Sequence, residues 1–101
     1  MHKILIVEDN NNIRTLLHEN FVKEGYKVFT SNSILEAKNQ LNLDPDLIIL
    51  DWMLPDGQGL DFLSVVKNKD FRIPVIFLTA RVELVDKILG LEMGANDYMT
   101  K

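Results

Sequence analysis

A doubly wound parallel α/β sheet is the fold this sequence predicts, and three observations predict it. Short apolar runs alternate with longer segments of helical periodicity four times, and a last short apolar stretch follows. The runs at 3–7, 47–50 and 75–78 are apolar on both faces, as central strands covered by helices on both sides must be. The runs also end alike: Ile4-Leu5-Ile6-Val7 stops at Glu8-Asp9, Leu47-Ile48-Ile49-Leu50 at Asp51, and Val75-Ile76-Phe77-Leu78 at Thr79. Polar groups at successive strand C-termini share one edge of such a sheet, the edge where ligands bind.

Each element has its own local signal. Residues 3–7 form the first strand, and Asn10-Asn11-Asn12 offers caps to the helix behind it. Ile13, Leu16, Leu17 and Phe21 give that helix one apolar stripe, and Gly25 stops it. Residues 26–30 alternate, which marks a more exposed edge strand. Ser33 caps a second helix carrying Ile34, Leu35, Ala37 and Leu41, and Asp44-Pro45 breaks it. Residues 46–50 form the third strand. Pro55-Asp56-Gly57-Gln58-Gly59 is a loop, and the next helix carries Leu60, Phe62, Leu63 and Val66. Arg72-Ile73-Pro74 turns the chain into the strand at 75–78. Residues 82–93 are a fourth helix ended by Gly94, and residues 96–101 form a fifth strand. Right-handed crossovers with three central strands and an edge strand at 26–30 give the flavodoxin-like order 2-1-3-4-5. The topological switch then lies between strands 1 and 3, so Glu8, Asp9 and Asp51 face one another.

The chain of 101 residues is expected to be a single domain with 47% hydrophobic residues, enough for one core. It has no cysteine, which excludes disulfides and thiolate metal sites. Its formal charge is −4, from 11 basic and 15 acidic residues, which argues against direct electrostatic binding of nucleic acid. Met1-His2-Lys3 runs straight into a strand, so no signal peptide fits. No apolar run is long enough to span a bilayer. A cytoplasmic location follows as an expectation.

The chemistry suggested is that of a divalent cation and a phosphoryl group. Mg2+ takes hard oxygen ligands in octahedral geometry and keeps several waters. Asp9 and Asp51 are the expected direct ligands, with Glu8 acting through water; Mn2+ would fit the same set. The acids have no arginine motif beside them, and packing them together without a cation is unfavourable. The plainer reading of Glu8 and Asp9, as caps of the first helix, does not explain why Asp51 repeats the placement on another strand. Aspartate is also a competent nucleophile that forms acyl phosphates. Thr79 would donate a hydrogen bond and Lys101 a point charge to a phosphate oxygen. Singly, Thr79 reads as a helix cap and Lys101 as a solvated residue; together with the acids they form a set. Gly57-Gln58-Gly59 is not a phosphate loop, since GxxxxGK[ST] is absent and Phe62 breaks GxGxxG. Met53, Met93 and Met99 read as packing residues, Trp52 as a partly exposed one, and His18 as exposed on a helix face.

Four segments carry a resemblance over the whole chain: Ile4 to Asp9, Leu47 to Gly57, Val75 to Arg81 and Gly94 to Lys101. Together they resemble the receiver domain of two-component response regulators. That resemblance implies that Asp51 accepts a phosphoryl group from a histidine kinase. It implies that Asp9, Asp51 and the Met53 carbonyl bind Mg2+ with help from Glu8, and that Thr79 and Lys101 contact the phosphoryl group. Tyr98 would be the aromatic switch that turns inward when Thr79 moves. Such a domain is not an enzyme in its own right; it assists its own phosphorylation and dephosphorylation. The wording is most similar to the OmpR/PhoB-type class, which carries a winged-helix effector. Lys87, Glu92 and Asp97 match charges that this class uses to dimerise, and Ile88 and Leu91 match its apolar contacts. The family continues past the lysine with proline and a fifth helix, so 1–101 is expected to be a receiver domain lacking its last helix. Self-association would cover the face left open, and DNA would be reached only through an output domain outside this sequence. Two readings compete: a degenerate receiver acting as a phosphorylation-independent interaction module, and a flavodoxin-like cofactor binder. The intact Asp9, Asp51, Thr79 and Lys101 count against the first, and acids in place of a phosphate loop against the second.

Overall fold

The computed structural model of the chain describes residues 2–79 and 97–100, with the backbone alone for Thr79 and 97–100. The main sheet contains β1 (Lys3–Val7), β2 (Lys27–Ser31), β3 (Leu47–Asp51), β6 (Val75–Thr79) and β7 (Asp97–Thr100). A small antiparallel hairpin, β4 (Met53–Leu54) and β5 (Gly57–Gln58), separates β3 from the third helix. The sheet runs β2-β1-β3-β6-β7 and every pairing is parallel. This is the order 2-1-3-4-5 expected from the apolar pattern. Two strands start one residue later than expected, and Asp51 is the last residue of β3, paired with Leu78, rather than the first residue beyond it.

Helix α1 (Asn11–Lys23) begins where the Asn10 side chain accepts the Ile13 amide at 3.0 Å. It ends before Gly25, whose φ of +94° is open to glycine at little cost. Helix α2 (Ile34–Gln40) starts at Ser33, whose hydroxyl accepts the Glu36 amide, and tightens into a 3-10 turn at Leu41–Leu43. Helix α3 (Gly59–Lys69) opens where the Asp61 carboxylate accepts the Gln58 amide at 3.3 Å.

Strand alternation splits the core in two. Leu5, Val7, Ile48, Leu50, Val75 and Phe77 face α2 and α3, where Ile34, Ala37, Leu60, Phe62, Leu63 and Val66 meet them. Ile4, Ile6, Ile49 and Leu78 face the other way, toward Ile13, Leu17 and Phe21 of α1. Two expected stripe residues are corrected here: Leu16 is 59% exposed and Leu35 is 68% exposed. On α1 the half-buried line facing the sheet follows Ile13, Leu17 and Phe21 at intervals of four, which leaves Leu16 on the flank. Helix α2, with seven residues, has under two full turns from which to read a face. The expected fourth helix at 82–93 and Gly94 lie outside the described residues.

Candidate functional site

The order of the strands brings the acids together. β1 and β3 are neighbours with Val7 opposite Leu50, so Glu8 and Asp51, each one residue further on, leave the same edge side by side. Glu8, Asp9 and Asp51 each offer a carboxylate oxygen, and these oxygens lie within 4.8 Å of one another. Glu8 and Asp51 are buried and Asp9 is exposed. Three hard oxygen donors at this spacing could hold a metal ion. Helix capping does not explain them, because Asn10 caps α1 and its first turn holds no acid.

An arginine is nearer than expected. Arg14 Nη1 donates to the Glu8 backbone carbonyl at 2.8 Å, and its Nη2 donates to Asn11 Oδ1. Its position six residues after Glu8, in the first turn of α1, was the signal available. His18 is half-buried rather than exposed and lies in a shallow groove with Arg14, Glu19 and Thr30.

The segment after Asp51 is more ordered than the expected loop. Trp52 is buried, not partly exposed, and its ring lies 4.9 Å from that of Phe77 on β6 at an interplanar angle of 54°. The Gly59 amide donates to the Trp52 carbonyl at 2.7 Å. A Cβ at Gly59 would run into the Asp51 carbonyl oxygen and lie 3.0 Å from Phe77 Cε1. Only glycine lets α3 start this close to the acidic strand end. Between these points, Met53 pairs with Gln58 and Leu54 with Gly57. Met53 is 58% exposed, so its side chain is not a packing residue. At the hairpin turn, the Asp56 carboxylate accepts the Ile34 amide at 2.8 Å and the Leu35 amide at 3.0 Å. These bonds, that of Ile34 foremost, hold its carboxyl below the usual carboxylate range. Asp56 and Gly59 are site-shaping residues the sequence reading missed. The Asp56-Gly57 turn signal was legible, its partner on α2 was not.

Thr79 closes β6, one residue past the Leu78 that pairs with Asp51, and it pairs with Thr100 on β7. The backbone thus brings Thr79 to the acidic edge. Tyr98 pairs with Phe77 and Asp97 with Ile76. Lys101, Lys87, Ile88, Leu91 and Glu92 lie outside the described residues. No helix among the described residues is long and apolar enough to cross a membrane.

A family profile described as "Response regulator receiver domain" matches residues 4–101. Among curated proteins, the chain is 44% identical over 100 residues to the alkaline phosphatase synthesis transcriptional regulatory protein PhoP of Bacillus subtilis (strain 168), covering 98% of this chain and 42% of that protein. It is also 44% identical over 102 residues to the phosphate regulon transcriptional regulatory protein PhoB of Escherichia coli (strain K12), covering 98% of this chain and 44% of that one. The chain therefore spans less than half the length of these relatives. Among solved structures, the non-phosphorylated HemR receiver domain from Leptospira biflexa superposes with a TM-score of 0.94 at 33% identity, covering 100% of this chain and 82% of that one.

Proposed function

The chain belongs to the response regulator receiver family, and from that premise we propose that it is a phosphorylation-dependent signalling switch whose phosphoacceptor is Asp51. The observation that carries this reading is the meeting of Glu8, Asp9 and Asp51 within 4.8 Å at the strand edge. An Asp51 carboxylate oxygen would attack the phosphorus of a phosphohistidine on a histidine kinase. The P–N bond breaks, the imidazole keeps the electron pair, and an acyl phosphate forms. The donor set fits a hard divalent cation, since two of the three acids are buried and each supplies only oxygen. Asp9, Asp51 and the Met53 carbonyl would hold Mg2+ or Mn2+, with Glu8 assisting. The cation would supply positive charge to the transferring group. Thr79 would donate to a phosphoryl oxygen and Lys101 would neutralise one. Drawing Thr79 toward the phosphate would free space for Tyr98 to turn inward, a two-state bias of a packed element.

Where a receiver of this kind is joined to an output domain, the proposal extends to DNA binding through that domain, in line with the transcriptional regulators that the chain is similar to. Phosphorylation would promote pairing of two copies through Lys87, Ile88, Leu91, Glu92 and Asp97. A receiver of this kind is a signalling domain that assists its own phosphoryl chemistry. The deciding experiment is incubation with acetyl phosphate and Mg2+, read by intact mass. The parent should gain one phosphoryl group and Asp51→Asn none. An unlabelled parent would favour the interaction-module reading, and full labelling of Asp51→Asn would place the acceptor elsewhere.

A further inference from the structure

We propose that Asp56 is a positioning residue for the site at Asp51: its carboxylate clamps the hairpin that follows the acceptor onto the start of α2 and so holds the Met53 backbone in register with the acids. The inference rests on the function proposed above and adds to it a residue outside the acid cluster. A hairpin of two short strands is marginal on its own, so its anchors decide where it sits. Here β4 and β5 contribute two residues each. One end is anchored by the Gly59 amide on the Trp52 carbonyl. The turn is anchored by Asp56, whose two oxygens take the amides of Ile34 and Leu35, one each. Gly57 packs on the same helix start: a Cβ there would lie 2.8 Å from Ile34 Cδ1, the mobile end of that side chain.

The clamp is not needed merely to start the helix. Ser33 already serves α2 as its own cap, on the Glu36 amide. What Asp56 adds is a connection between α2 and a segment 22 residues further along the chain. That segment begins directly after Asp51. Groups that orient a ligating atom from behind change metal affinity without touching the metal. Asp56 would act on the Met53 carbonyl in that way, through the hairpin it anchors rather than by contact.

The test compares the parent chain with Asp56→Ala, Asp56→Asn and Ser33→Ala. Three quantities are measured: the Mg2+ dissociation constant from Trp52 fluorescence, the acetyl phosphate labelling rate at saturating Mg2+, and amide exchange at 53–58 in metal-free protein. Asp56→Ala should weaken Mg2+ binding by roughly tenfold, the low end for losing an outer-shell partner, and should speed exchange across the hairpin. Asp56→Asn keeps one carbonyl oxygen and should fall between Ala and the parent; it carries the test if the Ala variant does not fold. Ser33→Ala removes a cap from the same helix but should leave the Mg2+ affinity at the parent value. Equal losses of affinity in Asp56→Ala and Ser33→Ala would overturn the proposal, as would unchanged affinity and exchange in Asp56→Ala. A parent that takes neither Mg2+ nor a phosphoryl group would instead overturn the proposed function, and this inference with it.

Discussion

Replacing Gly59 by alanine adds one carbon where α3 meets the end of β3. The new Cβ would overlap the Asp51 carbonyl oxygen and lie 3.2 Å from the Asp51 carbonyl carbon and 3.0 Å from Phe77 Cε1. Two of those atoms are backbone, so no rotamer change relieves them. Overpacking of this kind costs about 1–3 kcal/mol. If the helix backs away, the Gly59 hydrogen bond to Trp52 is lost as well, about 1 kcal/mol more. Alanine's better helix propensity offsets at most about 1 kcal/mol. A net destabilisation of about 2 kcal/mol results, a large share of the ~5–15 kcal/mol typical of a whole domain. In a domain of this size it should lower Tm by roughly 8–16 °C. Urea unfolding followed by Trp52 fluorescence measures the change directly. A midpoint equivalent to the parent's within about 0.5 kcal/mol, the range of an ordinary surface substitution, would refute the close-approach argument. Gly25→Ala is the matched contrast. It meets nothing within 4 Å and suffers only from its φ of +94°, about 1–2 kcal/mol.

Asp9→Ala should abolish the Mg2+-dependent change in Trp52 fluorescence while leaving the fold intact, because Asp9 is the exposed member of the acid cluster; an unchanged titration would exclude the proposed ligand set. Thr79→Ala should still accept a phosphoryl group from acetyl phosphate but no longer dimerise on phosphorylation when joined to an output domain, since Thr79 ends the strand beside Asp51; dimerisation equal to the parent's in analytical ultracentrifugation would count against the switch. Asp56 makes a pH prediction. Its folded pKa is lowered, chiefly by the Ile34 amide, so its stabilisation is present above the unfolded carboxyl value and is lost as pH falls through the folded one. The gap in urea midpoint between parent and Asp56→Asn should therefore be full at about pH 5 and close well below about pH 4. A constant gap across that range would show that Asp56 does not act through its charge.

Much of the sheet was legible because periodicity and chain order carry it. Continuous apolar runs identified β1, β3 and β6 as central, and that order sufficed to put Glu8, Asp9 and Asp51 on one edge. What escaped was set by contacts between distant segments. Trp52 is buried because Phe77 of β6 lies beside it, and nothing local to Trp52 announces this. Pro55-Asp56-Gly57 reads as a turn from any sequence. That the turn's carboxylate caps α2, and that Gly59 admits no side chain, follow only once α2, α3 and β3 are assembled. Leu16 and Leu35 show the converse limit. Both fit a local apolar pattern, yet the helix can bury only the line that faces the sheet.

The placement of β1 has a consequence for how the molecule comes into being. The earliest strand in the sequence sits between two others, hydrogen-bonded to β2 on one side and β3 on the other. Its second partner is made about forty residues later, with Leu47 opposite Ile4. At ribosomal rates of roughly 5–20 residues per second, Ile4 to Val7 spend seconds as a nascent apolar strand with one edge unmatched. Helix α1, made first, can cover one face of β1 but cannot close that edge. Chains slowed between Ser31 and Leu47 during translation should therefore be those most exposed to aggregation.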